Sequence, residues 1–250
     1  MDHKRTDDAL ENPGYIALSR QMVLKRQMDI LANNLANVTT PGFKGESMLF
    51  VEHLKRTDHS ERIRFVQDIA TVRDLKPGPM THTGSAFDLA IFGEGYFAVE
   101  TPEGERYTRA GGFALDPDGQ IVTTQGLPVL SDGGSPITVP PDTAAVTVAR
   151  DGTVSSDQGE IGRIRLVRFE NPQALDRLAH GLYDAAGQEP LPVEIPDIQQ
   201  GKVEGSNVAG VVEMTKLVAT VRSYQAAANL ADQEHQRQRR AIQALASVRS

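Results

Sequence analysis

A chain of 250 residues with 39% apolar and 24% charged side chains has the apolar content for a folded core, and too much of it for disorder throughout. Its formal net charge of -7 has the wrong sign for phosphate neutralisation, which argues against a nucleic-acid binder. No cysteine occurs, so disulfides, thiolate nucleophiles and Cys-ligated metals are excluded.

The first residues, MDHKRTDDALENPGY, contain no apolar stretch of the kind a secretion signal carries, and nowhere do about 18 apolar residues run uninterrupted. The expectation is a chain without direct membrane insertion and without a cleaved signal peptide.

From Pro13 to Val38 apolar residues recur at heptad spacing: Ile16, Val23 and Ile30 form one row, Leu24, Leu31 and Val38 a second, Met28 and Leu35 a third. This predicts an amphipathic helix with Asn12 as N-cap, Pro13 at its first position and Thr39-Thr40-Pro41-Gly42 as its stop. Its last turns hold Asn33, Asn34 and Asn37. Asparagine is a mediocre helix former because its amide competes for backbone hydrogen bonds. With Ile30 these three fall at i, i+3, i+4 and i+7 and share a face, where amides that donate and accept at once can specify register in a buried contact. Pro41 and Gly42 then suit positions i+1 and i+2 of a type II turn, and Phe43 can anchor the segment that follows.

Residues 40–80 read as an extended connector. Beyond them the texture changes to short strands, at residues 87–92, 96–100, 106–109, 120–123, 144–149 and 163–169. Asp118-Gly119, Asp132-Gly133 and Asp151-Gly152 sit where hairpin turns require positive φ. A second amphipathic helix is predicted from Val208, with Val211, Met214, Val218 and Val221 as a seam beside Leu217, Tyr224 and Ala231, and with Ala226 to Ala228 permitting close approach. Gln225, Asn229, Gln233 and Gln236 trace a second amide stripe.

The expected organisation is an N-terminal assembly helix (1–39), the connector (40–80), a β domain (81–200), and a connector with a C-terminal assembly helix (201–250). The expected fold class is α+β, with the N- and C-terminal helices pairing as an antiparallel coiled coil beside a central, all-β, antiparallel domain.

No reading of the residues yields a catalytic, cofactor or metal site. The six histidines are scattered, Gly93-Glu94-Gly95 lacks the third glycine and the helix of a dinucleotide fingerprint, and Asp116, Asp118 and Gly119 lack the terminal acid of a calcium loop. The chain therefore reads as a non-enzyme that self-assembles. A monomeric binding module or a carboxylate-based enzyme are the competing classes, because paired acids leave no sequence signature. The residues expected at subunit interfaces are Ile16, Val23, Leu24, Met28, Ile30, Leu31, Asn33, Asn34, Leu35, Asn37 and Phe43 on the N-terminal side. On the C-terminal side they are Val211, Met214, Leu217, Val218, Val221, Tyr224, Gln225, Ala228 and Asn229.

Four stretches carry a resemblance. MDILANNLANVTTPGFK (28–44), TGSAFDLAIFGEGYF (83–97), YTRAGGF (107–113) and GKVEGSNV (201–208), the last followed by VEMTKL, resemble the motifs of bacterial flagellar axial proteins of the rod and hook, in the family's order. Length and the stretch ENPGYIALSR (11–20) look most like the proximal rod members, with distal rod and hook-type proteins as alternatives. The resemblance implies a structural subunit of a helical tube that transmits torque from motor to hook and filament. It implies as partners the chain itself, other rod proteins and the flagellar type III export apparatus, a place in the periplasmic rod of the basal body, and no cofactor. Pro41 departs from many relatives and implies a stiffer turn.

Overall fold

The computed structural model describes residues 4–56 and 62–247. It divides into two compact units. One gathers the residues up to 36, residues 46–71 and those from 209; the other comprises 37–45 and 72–208.

The first unit is built from helix α1 (Lys4–Ala36), strands β1 (Glu46–Arg56) and β2 (Arg62–Arg73), which pair with each other, and helix α2 (Gly210–Ser247). Helix α1 begins well before Pro13, so the proline lies inside the helix instead of opening it. A proline there removes one N–H donor, and the flanking Ala9, Leu10 and Glu11 are good helix formers. Among the described residues no helix is long and apolar enough to cross a membrane.

The coiled-coil pairing expected of the terminal helices is not what the structure contains. Val211, Met214 and Val218, three residues of the expected seam, are 83%, 56% and 47% exposed. Among the described side chains of α2 the buried positions are Glu213, Thr220 and Ala227. A row of glutamate, threonine and alanine supplies none of the large apolar knobs on which a coiled coil rests. One polar contact joins α1 and α2: Asn34 Nδ2 donates to Glu213 Oε2 at 3.0 Å. The fold is thus a mainly β central region with one helix at each end of the chain, without the predicted seam.

The second unit holds antiparallel strands throughout. Its largest sheet has six strands, in the order 176–177, 182–184, β6, β5, 166–168, 191–192, where β5 is Tyr96–Thr101 and β6 Gly104–Thr108. Two smaller pairs close the chain on itself: strand β3 (Met80–His82) pairs with 202–204, and β4 (Leu89–Ile91) with 198–200. Strand β5 is buried on both faces, so its alternate residues feed two cores. Phe97 and Val99 join Leu89, Ile91, Ile121, Val129, Val154, Ile164 and Ile198 in one. Tyr96 and Ala98 join Tyr107, Phe169, Leu175 and Tyr183 in the other, where ring pairs meet edge to face at 4.8–5.9 Å. Each large side chain buried here contributes roughly 1.5–3 kcal/mol.

The turn expectations hold with one shift. Gly119 and Gly152 adopt φ of 79° and 91°, while in the 132–134 turn the positive φ belongs to Gly134, not Gly133.

Candidate functional site

Three of the four motif stretches converge on one buried carboxylate. Glu204, 1% exposed at the end of the strand that pairs with β3, receives Lys44 Nζ, Arg109 Nε at 3.0 Å, Arg109 Nη2 at 2.8 Å and the Gly78 N–H at 3.0 Å. Lys44 comes from the segment after the Pro41-Gly42 turn, Arg109 from the residues after β6, Glu204 from the approach to α2. The remaining donors of Arg109 are spent on carbonyls: Nη1 on Gly93 at 2.9 Å and Gly95 at 2.8 Å, Nη2 also on Ile91 at 3.2 Å. The Gly93-Glu94-Gly95 turn, with φ of 102° and 136° at its glycines, is therefore a cradle for a guanidinium. Arg109 is fully satisfied, as a buried charge must be.

Backbone packing completes the junction. Phe43 N–H donates to the Thr40 carbonyl across the Pro41-Gly42 turn, and Gly42 N–H to the Glu204 carbonyl at 2.8 Å. At φ 67°, a Cβ on Gly42 would stand 2.5 Å from the Arg109 carbonyl carbon. One on Gly78 would stand 2.0 Å from the Gly205 oxygen. Asn207 binds the same segments: its Oδ1 accepts from Gly45 N–H at 2.8 Å, and its Nδ2 donates to the carbonyls of Asp74 and Lys76 at 2.8 and 3.0 Å. Phe43 is buried, with the Arg177 guanidinium 4.0 Å from its ring centre.

Two cations face one anion, and the titration behaviour follows from that asymmetry. Burial would raise the Glu204 carboxyl, but Arg109 and Lys44 outweigh it and hold the group below its ordinary value. Burial pulls the Lys44 ammonium down, Glu204 restores only part of the loss, and Arg109 repels it further.

The helical unit has its own polar junction. Asn34 Nδ2 donates to the Glu46 carbonyl at 2.8 Å as well as to Glu213, while its Oδ1 accepts the Glu46 N–H at 2.9 Å. One side chain thus imitates a strand partner for β1 and fixes α2 beside it. Glu213 also holds Lys216 Nζ at 2.7 Å.

The predicted interface residues separate into groups. Leu31, Asn34 and Phe43 are buried within the chain. Val23, Leu24, Met28, Ile30, Leu35, Asn37, Leu217, Val221, Tyr224 and Ala228 are half-buried, and Asn33, Val211, Met214, Val218, Gln225 and Asn229 are exposed. Asn37 Oδ1 accepts the Thr40 hydroxyl at 3.2 Å. The side chain of Ile16 lies outside the described residues. Sequence reasoning missed Lys44, Arg109 and Glu204. The available signal was local: each is a charged residue next to, or one residue from, a glycine or glycine pair, in a stretch already singled out as a motif.

Family models match the same stretches. The "Flagella basal body rod protein" model covers residues 15–44, the "Flagellar hook protein FlgE/F/G D1 domain" model 90–156, and the "Flagellar basal body rod FlgEFG protein C-terminal" model 199–244. The chain is 41% identical to the flagellar basal-body rod protein FlgF of Caulobacter vibrioides over 244 residues, 96% of this chain and 100% of that protein. The chain belongs to the FlgF family of flagellar basal-body rod proteins. It is also similar to FlgF of Mesorhizobium japonicum, at 34% identity over 93% of this chain and 97% of the relative. FlgG of Bacillus subtilis shows 31% identity over 84% and 90%. As a FlgF-family member the chain is a structural subunit of the flagellar basal-body rod, not an enzyme, and it works among other rod and basal-body components.

Proposed function

We propose that the chain self-associates into the helical tube of the proximal rod and passes torque from the motor towards hook and filament. The observation that supports this best is the outward face of α2. Val211, Met214 and Val218 present an apolar stripe to solvent, and such a stripe rests most stably against another surface. The interface residues are these three with Asn33, Gln225 and Asn229 and the half-buried row Val23, Leu24, Met28, Ile30, Leu35, Asn37, Leu217, Val221, Tyr224 and Ala228, together with Ile16. Leu31, Asn34 and Phe43 serve the interface by fixing the backbone that presents it. Segments 1–39 and 201–250 are the assembly parts, 40–80 the connector and 81–200 the body. Export runs through the flagellar type III apparatus without signal cleavage, and the rod stands in the periplasm.

The test is electron microscopy of basal bodies from cells lacking the chain. A rod that stops near its motor end is expected. A rod complete up to its hook-proximal part assigns the chain to the distal position instead.

A further inference from the structure

Residues 197–207 form a strap across the second unit, binding parts of it that lie far apart in the sequence. The Asp197 carbonyl accepts the Phe92 N–H at 2.7 Å, and Ile198, 1% exposed, donates its N–H to the Arg150 carbonyl at 2.9 Å. Residues 198–200 pair with β4, and Gln200 Nε2 donates to the carbonyls of Ala86 and Val146 at 2.8 and 2.9 Å. The Gly201 carbonyl accepts the Thr83 N–H at 2.8 Å, residues 202–204 pair with β3, and Gly205 N–H donates to the Pro79 carbonyl at 2.8 Å. Glu204 then reaches back to Lys44 and Arg109, 160 and 95 residues earlier, and Asn207 to Gly45, 162 residues earlier.

Each of these partners precedes the strap in the chain, and sequence separation sets the order in which contacts become favourable. Closing a loop costs more entropy as the loop lengthens. The β5–β6 hairpin, in which Thr101 pairs with Gly104 across Pro102-Glu103, closes at far lower cost than contacts spanning 95–162 residues. Charge acts in the same direction. Until Glu204 arrives, burying Lys44 and Arg109 would leave two cations without a counter-charge, so neither is buried ahead of it.

We propose that residues 197–207 are the closing strap of the second unit. The strap docks last, and until it does, β3 and β4 lack their strand partners while Lys44 and Arg109 stay hydrated. A chain that emerges N-terminus first then completes this unit when residue 207 is out and α2 is still to follow, which keeps the polypeptide unfolded during passage. That consequence rests on the export route proposed above; the docking order does not.

The experiment is stopped-flow unfolding and refolding of the full chain, followed by tyrosine fluorescence, with Ile198→Val and Glu204→Gln as strap variants and Val99→Ala as a β5 variant. Contacts made after the transition state change the unfolding rate alone. Unfolding should accelerate about fivefold in Ile198→Val and at least about a hundredfold in Glu204→Gln, with refolding within about twofold of the unaltered chain. Val99→Ala should slow refolding by more than about twofold. Strap variants that slow refolding as much as they speed unfolding, or refolding unchanged in Val99→Ala, would overturn the order. Should a variant not fold, pulsed hydrogen exchange during refolding of the unaltered chain decides: the N–H groups of Gly42, Thr83 and Phe92, which donate to strap carbonyls, should gain protection after those of β5 and β6. Protection gained at the same time or earlier refutes the strap as the last element to dock.

Discussion

Arg109 holds Glu204 Oε2 across 95 residues of sequence, Nε donating a hydrogen bond at 3.0 Å and Nη2 standing 2.8 Å away as an ion pair. With Lys44 on its other oxygen, this carboxylate ties the segment after the first helix to the segment before the second. Removing it leaves two cations buried with no counter-charge. Glu204→Gln should therefore destabilise the β unit by about 3–5 kcal/mol in urea unfolding. Lys44→Met, which leaves a neutral Arg109–Glu204 pair, should cost clearly less. Equal losses would show that the carboxylate does not organise the junction.

The same group sets the acid limit of stability. The folded-state pKa of Glu204 lies below its ordinary 4.5, so the stabilisation it brings is present above that value and is lost as pH falls through the folded pKa. The alkaline limit has a different origin. Burial raises Tyr96 and Tyr107 to about 12, so the unfolded chain gives up these protons first, and stability declines as pH rises from about 10 towards 12. Urea midpoints measured from pH 2 to 12 should fall at both ends. In Glu204→Gln the acid limb should be shallower.

Gly42 and Gly126 both have positive φ, 67° and 79°, but only Gly42 is walled in. Gly126→Ala meets open space and should cost about 1–2 kcal/mol of backbone strain. Gly42→Ala adds a collision with the Arg109 backbone and should cost at least twice as much. Parity between the two variants would mean that the close approach carries no weight.

Asn34 ties both β1 and Glu213. Asn34→Ala removes its hydrogen bonds to the Glu46 backbone and the buried Glu213 carboxylate, with an expected cost of about 1–3 kcal/mol. Exposed Asn33→Ala should cost chain stability less than Asn34→Ala. Its effect, if the proposed interface is right, appears in rod incorporation instead.

Val218→Asp places a charge on the exposed α2 face. It should block rod incorporation while leaving the melting of the β unit nearly unchanged. Loss of both together would make the face part of the chain's own core.

The alternation of apolar residues made the two helices and strands such as β5 and β6 readable, because burial leaves a period in the sequence, whereas β1 and β2 lie in residues expected to form an extended connector. The Pro41-Gly42 turn was readable for a similar local reason, a fixed φ followed by a permissive one. What misled was the choice of row on α2. Val211, Met214 and Val218 have the composition of a seam, yet the inward positions are Glu213, Thr220 and Ala227, whose polar and small side chains carry no apolar period. Asparagines 33, 34 and 37 share a helical face by spacing, but Asn34 is buried against the Glu46 backbone while Asn33 is exposed, a distinction set by a strand that spacing cannot see. Lys44, Arg109 and Glu204 escaped because a charge triad separated by 65 and 95 residues obeys no period at all.

The chain has no cysteine, which permits a direct measurement of the proposed interface. With Val218→Cys, maleimide labelling of the purified chain and of intact basal bodies should differ: fast in the former, strongly protected in the latter. Equal labelling in both would contradict the assignment of the outward α2 face to subunit contact.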